Sequence, residues 1–313
     1  MRVAAVDCGT NTVRLLVLDD AGEVVLRVGR IVRLGEGVDA TGRLAPSALD
    51  RLLAALDEYA AVLADAGVDR VRFCATSAVR DAAGPEDRAR LADGVRARLG
   101  VEPEVLSGDE EAALTFAGAV AGVPADTPGP VLVVDIGGGS TELVLGEAGG
   151  ATGPAGPQVL AAHSADVGAV RLAERHLHHD PPTPEELVAC ARDVDAALDA
   201  ALDASGVDLA AARTVVGVAG TVLTLAAGLH GVGDLAAADG LACDVDAVRD
   251  LVARLAAMTT EQRVATGWVD PGRADVLPAG GVVLERVLAR IRTSEVLASV
   301  GDVLDGIADG LRQ

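Results

Sequence analysis

Lysine is absent from this 313-residue chain; all 26 basic side chains are arginine. That removes the phosphate-loop lysine of P-loop NTPases, the kinase lysine and any Schiff-base lysine. A GC-rich genome produces the same bias, but whatever its origin, an anionic ligand here must be held by arginine, backbone amides or metal. Aromatics make up only 1% of residues: Trp268, Tyr59, Phe73 and Phe116. So few rings disfavour a stacking platform for single-stranded nucleic acid, and core bulk falls to Val, Leu and Ala. Positive charge is the minority sign, with 47 Asp and Glu giving a formal charge of −21. This argues against broad binding to nucleic acid or an anionic membrane, though not against a small anion in a local pocket. Four cysteines, Cys8, Cys74, Cys190 and Cys243, lie far apart with no CxxC pair. They suit a reduced protein without disulfides or a zinc site. No apolar run nears the ~18 residues of a membrane span, and Asp7 arrives too early for a signal peptide. A soluble, cytoplasmic protein is expected.

What is present is a folded composition, half apolar and 23% charged, long enough for two domains of roughly 150 residues. Its most informative feature is an internal echo. VAAVDCGTNTVRLLVL (Val3 to Leu18) and VLVVDIGGGSTELVLG (Val131 to Gly146) align without gaps, Asp7 falling on Asp135. Each reads as a buried strand, an Asp, a turn of small polar residues and a second strand. Thr10, Asn11 and Thr12 line one turn; Gly138, Gly139 and Ser140 line the other. Glycines let backbone amides approach a phosphate, hydroxyls add donors, and a neighbouring Asp holds Mg²⁺ directly or through water. One such turn is a plain hairpin. Two matched turns, one in each half, point to two jaws of a phosphate-gripping cleft.

Strands and helices alternate along the rest of the chain, which means α/β layers. Leucines 49, 52, 53, 56 and 63 keep helical spacing, with Gly67 as a stop. Val71 to Ala82 reads as a strand leaving into a polar loop, Ala83 to Pro85 as a turn and Pro85 to Leu99 as a helix. SGDEEA at Ser107 opens a helix running to about Val120. Gly122 to Pro130 is the candidate domain boundary, and Gly146 to Pro157 reads as an exposed hairpin loop. Pro181 to Pro184 opens a long Ala-rich helix ending near Ser205, and Thr214 to Gly228 reads as strand, glycine turn, helix.

In this order the blocks DCGTNTVRLL, VRLGEGVDATGRL, ATSAVRDA, SGDEEA, VDIGGGSTEL, GVAGT and PGRADVLPAG resemble the exopolyphosphatase / guanosine pentaphosphate phosphatase (Ppx/GppA) family over nearly the full length. The resemblance implies a duplicated actin-like, ribonuclease-H-like α/β fold with the active site in the cleft between two domains. Expected are an N-terminal domain of residues 1–124, a second domain of 125–300, and a helix of 301–313 returning to the first. The implied activity is hydrolysis of the terminal phosphoanhydride of polyphosphate or guanosine pentaphosphate, with Mg²⁺ (or Mn²⁺). Glu111 then matches the catalytic base, and Asp135 and Glu142 the acids near metal and attacking water, with Asp7 as a further carboxylate on the metal side. Thr10, Asn11, Thr12 and Gly137, Gly138, Gly139, Ser140 match the phosphate loops; Arg14 and Arg273 match phosphate-contacting arginines. GVAGT stands where GVGGT is commoner. The helical C-terminal domain of long members is missing, so short polyphosphate chains are favoured. The expected partner is a small anion, with no nucleic acid and no membrane; a homodimer is left open.

Alternatives stand beside several of these residues. Glu110 and Glu111 also suit a helix N-terminus, where the dipole favours acids. His176, His178 and His179 read as a solvated helix end against a metal cluster, Arg80 and Asp81 as a buried structural ion pair against a catalytic one, and Cys8 as packing against a nucleophile. Gly220 and Thr221 either touch a nucleotide or distal phosphates, or let a helix pack on its strand. The rival functions are a small-molecule kinase of the same superfamily and a non-catalytic alarmone or nucleotide-binding regulator.

Overall fold

A computed structural model describes residues 1–82, 84–124, 126–149 and 156–312. The chain divides into two compact units: Met1–Leu114 together with the chain from Val303 on, and Thr115–Asp302. The first begins with β1 (Val3–Cys8), β2 (Thr12–Leu18) and β3 (Val24–Ile31) and continues through α1 (Val38–Thr41), α2 (Pro46–Ala66), β4 (Arg70–Ala75), α3 (Ser77–Asp81), α4 (Pro85–Leu99) and β5 (Pro103–Val105). Helix α5 (Gly108–Ala121) carries the point of division. The second unit holds β6 (Val131–Ile136), β7 (Thr141–Glu147), β8 (Gln158–Ala165), α6 (Ala169–His176), α7 (Pro184–Ser205), β9 (Thr214–Val218) and α8 (Ala219–His230). It ends with β10 (Ala242–Asp244), α9 (Val245–Ala256), α10 (Thr260–Val264), α11 (Leu277–Leu288) and β11 (Glu295–Ala298). Helix α12 (Val303–Gly310) belongs to the first unit.

Sheet order is β3-β2-β1-β4-β5 in the first unit and β10-β11-β9-β6-β7-β8 in the second. In each, three strands form an antiparallel meander, and the first strand of the meander also pairs parallel with a later one. The same arrangement twice in one chain is the duplicated actin-like fold. Strands β1 and β6 are central and buried at every residue, which is why they read as unbroken apolar runs. Side chains alternate along β1: Ala4, Val6 and Cys8 face a core shared with α2, α3 and α4. Val3 and Ala5 join Leu16, Leu18, Cys74 and the α12 residues Val303, Leu304, Ile307 and Ala308 on the opposite face.

Local signals set most helix ends. Pro46 opens α2 and Gly67 closes it with φ 61°, the left-handed region glycine adopts cheaply. Thr183 and Glu186 form a reciprocal capping box at the start of α7. The polar loop expected after Ala75 is instead α3: the Thr76 carbonyl accepts from the Val79 and Arg80 amides, and Ala78 and Val79 are drawn into the core. The turn expected at Ala83, and residues 150–155 of the expected hairpin loop, lie outside the described residues. Among the described residues no helix is long and apolar enough to cross a membrane.

Candidate active site

The echoed turns share one hydrogen-bond plan. Gly9 N donates to Thr12 O and Gly137 N to Ser140 O, each at 3.0 Å. In the first unit the segment after β3 clamps the turn from behind: Val32 and Arg33 amides donate to Asn11 O and the Gly35 amide to Thr10 O. In the second unit the start of α6 does so, with Ala169 N on Gly137 O, and Val170 N and Arg171 N on Gly138 O. Arg171 Nε adds a bond to Gly139 O at 2.8 Å. Gly168 must be glycine, since a Cβ there would lie 2.6 Å from the Gly138 backbone. Both turns stand at the carboxyl ends of central strands, where open α/β sheets place ligands.

What differs between the halves is charge. Opposite Asp7 across β1 and β2 stands Arg14, whereas opposite Asp135 across β6 and β7 stands Glu142. Arg14 bonds Asp7 Oδ2 through Nε at 3.0 Å and Nη2 at 2.6 Å, which aims the guanidinium. Asp135 and Glu142 are both buried, and Ser164, opposite Glu142 on β8, donates to Glu142 Oε1 at 2.7 Å. Two carboxylates on adjacent strands are the oxygen donors that Mg²⁺ takes while keeping water and substrate oxygens. Among the described residues no group of three His, Cys, Asp or Glu side chains converges on a common point. His176 and His179 are engaged by Asp193 and Glu186.

Glu110 and Glu111 separate by one helical step. Glu110 reaches back to the Ser107 amide at 2.9 Å while Ser107 Oγ accepts from Glu110 N, a capping box on an exposed edge. Glu111 points inward and is only 7% exposed. Arg80 Nη1 donates to Glu111 Oε2 at 2.9 Å and to Leu106 O. Burial pushes Glu111 up to about 7; Arg80 opposes that shift and the Asp7 charge adds to it. That value suits a general base at neutral pH. Thr10 Oγ1 shares a 2.8 Å bond with Ser77 Oγ, tying the first turn to the start of α3.

The family model for Ppx/GppA phosphatases matches residues 17–312. This chain belongs to the Ppx/GppA phosphatase family. It is similar to Exopolyphosphatase 2 of Mycobacterium tuberculosis, 44% identical over 98% of this chain and 97% of that protein. Exopolyphosphatase 1 of Mycobacterium bovis is 33% identical over 91% of this chain and 80% of its own. A crystal structure of an exopolyphosphatase-like protein superposes with TM-score 0.93 at 40% identity, covering 100% of this chain and 99% of that one. The Cytophaga hutchinsonii exopolyphosphatase gives 0.86 at 26% identity, over 100% and 98%.

Within this Ppx/GppA chain, the first unit gathers Asp7, Thr10, Arg14 and Glu111, and the second gathers Asp135, Gly137 to Ser140 and Glu142. Gly220 and Arg273 also meet, while Thr221 stands against Gly280: β9 pairs with β6 so that Val218 lies beside Asp135, and a Cβ on Gly220 would strike Arg273 Nη1 at 2.3 Å. Thr221 is buried. Sequence reasoning missed Ser77, Ser164 and Arg171, and did not place Arg80 on Glu111. Arg80 was nonetheless within reach, because ATSAVRDA is one of the blocks that carry the resemblance. Cys8 is fully buried and its thiol is pushed up by burial, which suits packing.

Proposed function

We propose that this chain hydrolyses the terminal phosphoanhydride of inorganic polyphosphate, releasing orthophosphate and a chain one unit shorter. The observation that carries this reading is Glu111, a carboxylate only 7% exposed, paired with Arg80 at 2.9 Å and pushed up by burial to about 7. Glu111 takes a proton from water as the water oxygen bonds the terminal phosphorus in line; the bridging P–O bond breaks and its electrons leave with the shortened chain. Within the first unit Thr10 to Thr12 and Arg14, and within the second Gly137 to Ser140 and Arg273, offer the amides, hydroxyls and planar forks that phosphate oxygens take. Asp135 and Glu142 would hold Mg²⁺ (or Mn²⁺), which when bound supplies charge neutralisation on the transferred phosphoryl group. A kinase or a pure sensor has less use for a base with this pKa.

The net charge of −21 repels a long polyanion, so short chains are the preferred substrates. Guanosine pentaphosphate ends in the same phosphoanhydride and is the second compound to compare. Phosphate release from short polyphosphate, long polyphosphate and guanosine pentaphosphate, measured side by side with Mg²⁺, tests this. Expected is the highest kcat/KM on short chains, abolished by EDTA and restored by Mg²⁺. No release from any of the three, or turnover that persists in EDTA, would overturn the reading.

A further inference from the structure

The segment that delivers Arg273 is an irregular turn between α10 and α11, and a guanidinium on such a turn grips nothing unless the turn is held. Its front is held by α8. Gly220, Thr224 and Gly228 recur every fourth residue, so they share one face of that helix. A Cβ on Gly228 would meet the Trp268 ring at 2.5 Å, and one on Gly220 would meet Arg273. Thr224 Oγ1 stands 3.5 Å from Arg273 Nη1.

Its back is held by a buried charge. Arg263 in α10 is 1% exposed and heads the largest fully buried side chains. Its guanidinium donates to main-chain carbonyls in two places. Nε bonds Leu255 O at 2.8 Å and Nη2 bonds Met258 O at 2.7 Å, satisfying the carbonyl end of α9. Nη1 bonds Ala274 O at 2.8 Å, in the residue directly after Arg273. Asp180 approaches no closer than 3.8 Å, and burial lowers the Arg263 pKa. A charge buried this deeply is costly unless hydrogen bonds satisfy it, and these three carbonyls do so. A planar fork is what reaches two separate segments at once; an ammonium is a point charge.

We propose that Arg263 is the positioning residue for Arg273, fixing the Ala274 peptide so that the Arg273 guanidinium stays against Gly220, facing substrate phosphate. The proposal rests on the reading of Arg273 as a phosphate contact. The test compares Arg273→Gln, Arg263→Gln, Arg263→Lys and the double Arg263→Gln/Arg273→Gln on short polyphosphate, below each variant's melting temperature. Arg273→Gln is expected to raise KM about 10-fold or more, and Arg263→Gln to raise it comparably with kcat little changed. The double variant should be no worse than Arg273→Gln, because the second change acts through a side chain already gone. If Arg263→Gln does not fold, Arg263→Lys, which keeps the charge and loses the fork, carries the same comparison. Unchanged KM in Arg273→Gln overturns the phosphate reading and this proposal with it. Raised KM there with unchanged KM in the Arg263 variants, or a double variant whose KM multiplies the two single effects, overturns the positioning role alone.

Discussion

At the N-terminus of α5 two adjacent glutamates sit in different surroundings: Glu110 caps the helix from the exposed side, and Glu111 is buried against Arg80. Glu111→Gln should cut kcat by about 10²-fold or more with KM little changed. Glu110→Gln should leave turnover intact, since Gln completes a capping box as well as Glu does. Phosphate release and thermal melts on the two variants check this, and equal activity losses would remove Glu111 from the mechanism. The base must be ionised to act, so kcat/KM should fall as pH drops below about 7. Stability runs the other way. Folding raises this carboxyl from 4.5, so its stabilising contribution is full below pH 4.5 and is lost as pH rises through about 7. The melting temperature of Glu111→Gln relative to the parent should therefore rise across that window. Helix-start chemistry was legible in SGDEEA, but which glutamate faces inward was not. The Arg80 partner lies 31 residues from Glu111, and periodicity names no partner at that range.

Element ends were legible where a local signal sets them. Pro85 to Leu99 is α4 to the residue, and the capping box with its following proline opens α7. Signals failed where tertiary packing decides. Helix α3 is five residues long and too short for a period, and Arg263 bonds carbonyls that no side-chain pattern displays. The GVAGT departure has a physical consequence in the β9–α8 turn. Ala219 takes φ 64°, a left-handed conformation that costs an L-residue roughly 1–2 kcal/mol. Ala219→Gly relieves that strain but frees the unfolded chain by about 0.4–1 kcal/mol. The net expectation is a gain of about 0.5–1 kcal/mol, read as a higher denaturation midpoint. A lower midpoint would show that the turn is not strained at this position.

Across the whole molecule, the echo of Asp7 on Asp135 survives as two turns with the same bonds and opposite neighbours, Arg14 in one and Glu142 in the other. That duplication was readable because strand and turn are local. The return of the chain to its first unit was expected from the resemblance alone. It also has a bearing on synthesis. Val3, Ala5, Leu16, Leu18 and Cys74 form a face whose cover is α12, and α12 leaves the ribosome only after all of Thr115–Asp302 has been made. This sheet is therefore translated well before the helix that covers it, and its apolar face stays open while Thr115–Asp302 is made. A fragment of residues 1–114 should bind a hydrophobic dye strongly and aggregate, and a synthetic α12 peptide added in trans should suppress both. A soluble, dye-silent fragment would mean the face closes on itself. Otherwise, the exposure of this face during translation follows from the distance in sequence between the sheet and α12.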